Sequence, residues 1–98
     1  MNELSGRQRR FLRGLGNGLK PVVNVGKEGV SPKLLGAIEE AYSNRELIKI
    51  KLGRGCPLNR KEVGPALARE TASHLVQILG QTLLLFRPDE ENPGIRLP

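Results

Sequence analysis

The sequence predicts a single α/β domain, with its elements in the order helix, strand, helix, strand, helix, strand, strand. Three observations carry that reading. A β-branched run at 22–25 and a strictly alternating run at 47–52 bracket a segment of helical period, the pattern of a right-handed parallel β-α-β unit. Two further apolar runs, 75–79 and 82–86, are separated only by Gly80-Gln81, a hairpin spacing whose leading glycine suits a type II′ turn. Finally, 98 residues with 38% hydrophobic content can bury one modest core and not two.

The first helix starts at about residue 6, because Ser5 with Gln8 three positions on is a capping box. Leu4, Phe11, Leu12 and Leu15 then share one stripe, Arg7, Arg9, Arg10 and Arg13 take the remaining surface, and Gly14, Gly16 and Gly18 end the helix. A loop through Asn17 leads over Lys20-Pro21 into the first strand. Ser31 followed by Pro32 is an N-cap with proline at the first helical position, and Leu34, Leu35, Ile38, Ala41 and Tyr42 give the second helix a broad apolar face. In the second strand Ile48, Ile50 and Leu52 face inward, with Lys49 and Lys51 outward. Gly53-Arg54-Gly55-Cys56-Pro57 reads as a loop. Asn59 with Glu62 caps a third helix running to about Ala72, which either kinks at Gly64-Pro65 or begins at Pro65. Leu83, Leu84, Leu85 and Phe86 are apolar on both faces of the last strand, so it is covered on both, the second cover being the first helix or a partner. Residues 89–98 lack any period and read as an extended tail on a domain of residues 1–88.

The net charge is +6, and residues 1–87 hold fifteen Lys and Arg against seven Asp and Glu. Such an excess on a small domain is the electrostatic footprint of a nucleic-acid binder. Phe11, Tyr42 and Phe86 are the only aromatic residues, so the core is aliphatic and platforms for base stacking are scarce. No apolar run reaches the roughly 20 residues needed to cross a bilayer, and the N-terminus lacks the continuous apolar core of a secretory signal. A cytoplasmic protein without a membrane partner is expected.

One cysteine, Cys56, excludes an internal disulfide and fits a reducing compartment; with one histidine, His74, it leaves too few soft ligands for a zinc site. His74 is also the sole histidine that could serve a nucleophile, and it stands at the entry to a strand. Glu39 and Glu40 are adjacent and diverge around their helix. Gly14-x-Gly16 follows no strand and has Leu19 where a dinucleotide fingerprint needs its third glycine. Neither catalysis, nor a metal, nor a cofactor is expected.

The stretch expected to carry function runs from Val22 to Pro32: a strand, Gly26-Lys27-Glu28-Gly29, and a capped helix start. Both glycines can take positive φ, so exposed N–H groups and Lys27 can meet a phosphate beside a helix N-terminus. A GxxG at such a junction is by itself more commonly a plain turn. Its weight comes from the rest of the chain.

With Leu4-Ser5-Gly6-Arg7-Gln8, Leu19-Lys20-Pro21-Val22-Val23, Gly26-Lys27-Glu28-Gly29-Val30, Glu46-Leu47-Ile48-Lys49-Ile50-Lys51, Arg69-Glu70-Thr71 and Leu84-Leu85-Phe86-Arg87-Pro88 in this order, the chain resembles the CRM domain, the chloroplast RNA splicing and ribosome maturation module. More narrowly it is similar to the bacterial YhbY family of single-domain RNA-binding proteins, over nearly its whole length. The resemblance implies a mixed four-stranded sheet with three helices, similar to the C-terminal domain of bacterial translation initiation factor three. It also implies RNA binding and association with ribosomal RNA in precursors of the large ribosomal subunit. Ribosomal proteins as further partners and a monomeric state are expected beside it. Carried over by position, Gly26, Lys27, Glu28 and Gly29 form the RNA-contacting loop. Arg7, Arg10, Arg13 and Lys20 join it by charge and location, as do the outward Lys49 and Lys51, so that loop and first helix make one phosphate-binding surface. Glu28 departs from a purely electrostatic grip by placing a carboxylate in the loop. The competing function is a protein-binding adaptor that docks through the two-sided apolar strand and the basic helix.

Overall fold

A computed structural model describes residues 3–98. Its elements are α1 (Gly6–Gly16), β1 (Val23–Val25), α2 (Pro32–Ala41), β2 (Leu47–Leu52), α3 (Arg60–Glu70), β3 (His74–Leu79) and β4 (Thr82–Phe86). The sheet has the order β1-β2-β4-β3, with β1 parallel to β2 and the other pairings antiparallel, so the expected α/β order and mixed four-stranded sheet are both present. The hairpin turns as read: Gly80 sits at φ 57°, while Gln81 is not among the residues of positive φ, which is the type II′ pattern.

The alternation of β2 divides the core into two layers. Ile48, Ile50 and Leu52 join Leu83 and Leu85 under α2 and α3, packing on Leu34, Ile38, Val63 and Leu67. Leu47, Leu84 and Phe86 face the other way and are covered by Leu12 of α1, with Val76 of the β3 bulge beside them. The second cover of the two-sided β4 is therefore α1 itself, and the apolar strand on which an adaptor would have docked is occupied.

The first helix is capped as expected, with the Gln8 N–H donating to Ser5 Oγ at 3.1 Å and the Ser5 N–H to Gln8 Oε1 at 3.0 Å. Its apolar stripe is narrower than expected. Phe11 and Leu15 remain 40% and 44% exposed, and only Leu12 and Gly16 are buried. Gly14 does not end the helix, which continues to Gly16, where the backbone lies so close to the sheet that a Cβ would sit 2.6 Å from Leu84 Cδ2. Arg9 faces inward and donates from its guanidinium to the Leu75 carbonyl, tying α1 to β3.

The third helix is continuous from Arg60 through Pro65, which excludes the late start at Pro65. Pro65 points to solvent, so water can solvate the Lys61 carbonyl that loses its partner, while Gly64 faces inward, 3.1 Å short of Leu75 Cδ2 for a built Cβ. The helix stops at Glu70, two residues before the expected end. Ala72 turns left-handed at φ 51°, and the Ser73 N–H reaches the Ala68 carbonyl at 2.8 Å, a Schellman closure made without glycine.

Residues 89–98 add no helix or strand, yet they are docked on the domain. The buried carboxylate of Glu46 accepts the N–H groups of Asp89 at 2.7 Å, Gly94 at 2.8 Å and Ile95 at 2.7 Å. Ile95 and Leu97 then pack on the α1 layer.

Candidate functional site

Because β1 and β2 are parallel and each is followed directly by a helix, the N-termini of α2 and α3 both open at the same end of the sheet, beyond the carboxyl ends of the two strands. That is the end at which α/β sheets gather ligands, and two helix dipoles add positive potential there.

The 26–29 segment is a turn closed by the Gly29 N–H donating to the Gly26 carbonyl at 3.1 Å. Lys27 and Glu28 occupy its centre at negative φ, and Gly29 leaves it at φ 61°. Only the second glycine therefore needs its freedom. Gly26 is not left-handed and has open space where a Cβ would be, whereas a Cβ at Gly29 would meet Pro57 Cγ at 3.3 Å. Of the two glycines that can take positive φ, only Gly29 does so, because a turn with both central residues at negative φ uses a left-handed residue only at its exit.

The turn leaves the N–H groups of Lys27 and Glu28 without an acceptor among the described residues. At α2, Ser31 Oγ takes the Leu34 N–H at 3.1 Å, and the Lys33 N–H is likewise unspent. Turn, edge strand and helix start enclose an open cleft of about 580 Å³ lined by Asn24, Gly26, Lys27, Glu28, Ser31 and Lys33 among others. Lys33 was missed by sequence reading; its place two residues past the Ser31 cap was the available signal.

The 53–58 segment backs the turn rather than merely connecting β2 to α3. The Gly53 N–H donates to the Val25 carbonyl at 2.9 Å. A Cβ at Gly55 would lie 2.8 Å from Lys27 Cγ, so the Lys27 stem rests on the Gly55 backbone. Arg54, Arg60 and Lys61, none of them singled out by sequence, stand at this end as well.

The other expected residues lie apart from the turn. Arg7, Arg10 and Arg13 are exposed on α1, on the opposite face of the sheet from α2, and none lines the turn's cleft. Lys20 precedes β1 and so lies at the far end of that strand from Gly26, roughly 3.3 Å per residue away. Lys49 and Lys51 bridge the interval. Lys49 is in register with Leu84, which α1 covers, and Lys51 with Asn24 and Thr82 one step nearer the turn. By the 100° helical step, Arg13 falls on the flank of α1 away from Gln8 and Leu15, which face the tail. Lys49 and Lys51 thus lie on the α1 face of β2, at register positions between the Leu47 end and the turn's end of the strand.

Cys56 and His74 are not brought together. Cys56 follows β2 at the turn's end of the sheet and donates to the Leu58 carbonyl at 3.2 Å, while His74 begins β3 in register with Phe86 at the other end. His74 stacks on Phe86 with ring centroids 6.1 Å apart, and burial, then the nearby Arg9, hold its pKa below 6.5. Among the described residues no three His, Cys, Asp or Glu gather as a metal site. The one ion pair among them joins Arg87 to Glu39 at 2.6 Å, with Arg87 also over the Tyr42 ring, so none of the cations at the turn is neutralised by a carboxylate.

Residues 4–87 match the model of the CRS1 / YhbY (CRM) domain. The chain is 40% identical over 98 residues to a protein of Haemophilus influenzae named RNA-binding protein, covering 100% of this chain and 98% of that one. It is also 40% identical over 95 residues to YqeI of Bacillus subtilis, named "Probable RNA-binding protein YqeI", with 97% and 99% covered. The solution structure of SAV1595 from Staphylococcus aureus superimposes with a TM-score of 0.82 at 34% identity, covering 98% of this chain and all 100% of that one.

Proposed function

This chain belongs to the CRS1 / YhbY (CRM) domain family, and from that premise we propose that it is a cytoplasmic RNA-binding protein that grips the phosphate backbone through the 26–29 turn and the basic surface beside it. Its target is ribosomal RNA in precursors of the large ribosomal subunit, and its role is to assist their assembly without catalysing a reaction.

The observation that carries the reading is the left-handed Gly29, which turns the chain so that two unspent N–H groups, the Lys27 ammonium and the N-terminus of α2 border one cleft. A phosphate there would accept from backbone donors whose positions are fixed before binding and would be drawn by two lysines and a helix dipole. Tyr42 and Phe86 are buried in the core, so neither offers a base-stacking platform at the turn, and the contacts proposed there are to the backbone. Glu28 beside Lys27 opposes part of the attraction.

A binding series on ribosomal RNA fragments at several salt concentrations tests this. Lys27→Ala should weaken binding to different sequences about equally and lower the salt slope by roughly 0.7 to 0.9, and Arg10→Ala reports in the same way on α1. A parent protein that does not bind RNA, or a Lys27→Ala variant indistinguishable from it, refutes the site. For the cellular role, the protein should sediment with large-subunit precursors; recovery only from polysomes refutes it.

A further inference from the structure

The described residues hold a second cationic cleft, on the other side of the 53–58 segment from the GxxG turn. It has a volume of about 560 Å³ and is lined by Arg54, Arg60 and Lys61 together with Asn59, Gln81 and Cys56, and no aspartate or glutamate is among its lining residues. We propose that this cleft is a second phosphate site for the same RNA, so that the backbone is held at two points at one end of the sheet. The proposal rests on the RNA-binding reading above.

Three features support it independently of the turn. First, Arg54, Arg60 and Lys61 are exposed, and none takes part in the single ion pair among the described residues. Cations crowded into a cleft without a counter-charge repel one another, and a bound anion relieves that repulsion. Second, the cleft lies at the start of α3, an eleven-residue helix, whose Asn59 cap takes the Glu62 N–H at 3.0 Å and leaves those of Arg60 and Lys61 unspent. Glu62 in the same first turn is the opposing charge, and its carboxylate is engaged by Asn59 Nδ2 at 2.7 Å. Third, the Arg60 guanidinium reaches the Gly80 carbonyl of the hairpin turn at 3.4 Å, which spans the cleft from helix to hairpin.

The two clefts are joined mechanically. The Lys27 stem rests against Gly55, and Gly29 packs on Pro57, so the segment bearing Arg54 also fixes the GxxG turn. No aromatic ring lines the second cleft. Its ligand is a backbone phosphate, not a base.

The test uses the full chain and a single-stranded RNA oligonucleotide, followed by fluorescence anisotropy over a range of salt. Arg54→Gln with Lys61→Gln should lower the log-log salt slope by about 1.4, at roughly 0.7 per lost contact. Arg69→Gln, at the far end of α3, controls for net charge and should leave the slope near that of the parent. If the double variant changes the slope no more than Arg69→Gln does, while Lys27→Gln lowers it, the second site is overturned and the RNA-binding reading stands. If the parent fails to bind, both fall. Amide NMR gives a second measure: the Arg60 and Lys61 signals should shift and saturate together with those of Lys27 and Glu28, and their standing still while Lys27 moves also overturns the proposal.

Discussion

Replacing Gly29 isolates backbone conformation from charge. At φ 61° an alanine pays the left-handed penalty of about 1–2 kcal/mol, and its Cβ, 3.3 Å from Pro57 Cγ, must also displace that ring slightly. At roughly 4–8 °C per kcal/mol for a domain of this size, Gly29→Ala should lower Tm by about 4 to 16 °C. Gly29→Asn should lose less, because asparagine visits the left-handed region more readily, and Gly29→Val more, because its branched side chain adds to the clash. Gly26→Ala is the internal control. With a φ that is not left-handed and open space at the Cβ, it should change stability by no more than about 0.5 kcal/mol. Thermal unfolding by circular dichroism measures all four. RNA affinity should fall in the order of lost stability with formal charge unchanged, since a displaced turn no longer aims the Lys27 and Glu28 N–H groups. If Gly29→Ala melts with Gly26→Ala, or Gly26→Ala proves the more damaging of the two, the account of the turn is wrong.

Other perturbations probe the scaffold. Gly16→Ala should destabilise by about 1–3 kcal/mol through overpacking on Leu84, whereas Gly14→Ala, with open space at the same helix, should stabilise by about 0.5–1 kcal/mol; denaturant midpoints decide both. Glu46→Ala orphans the three tail N–H groups, at about 1–3 kcal/mol, and should speed amide exchange at Gly94 and Ile95; unchanged exchange there contradicts the clamp. Burial and Arg9 hold the folded His74 below its ordinary 6.5, so the unfolded chain takes up that proton first as pH falls. Its contribution is complete above about pH 6.5 and is lost progressively below, so the urea midpoint should be lower near pH 5.5 than at pH 7, and His74→Gln should flatten that difference.

What the sequence by itself determined is whatever is encoded over three or four residues. Ser5 with Gln8, Ser31-Pro32 and Asn59 with Glu62 place three helix starts, because a cap is a bond between near neighbours. The alternation of β2 sets which of its residues face α2 and α3, and Gly80 sets the hairpin. The GxxG turn was legible for the same reason. Only the tertiary structure decided which face of α1 is buried, since Phe11 and Leu15 carry the same apolar signal as Leu12, and the choice falls to a glycine at 16 that lets the helix sit on Leu84. Likewise Glu46 reads as an ordinary solvated carboxylate until the tail, 49 residues away at Ile95, folds back to donate to it. The candidate site divides along the same line. Gly26 to Gly29 could be found locally, but the backing of Lys27 by Gly55, and the gathering of Arg54, Arg60 and Lys61 at the turn's end, follow from two parallel strands delivering their helices to one edge. Those contacts join segments distant in the chain, and no local period or cap records them.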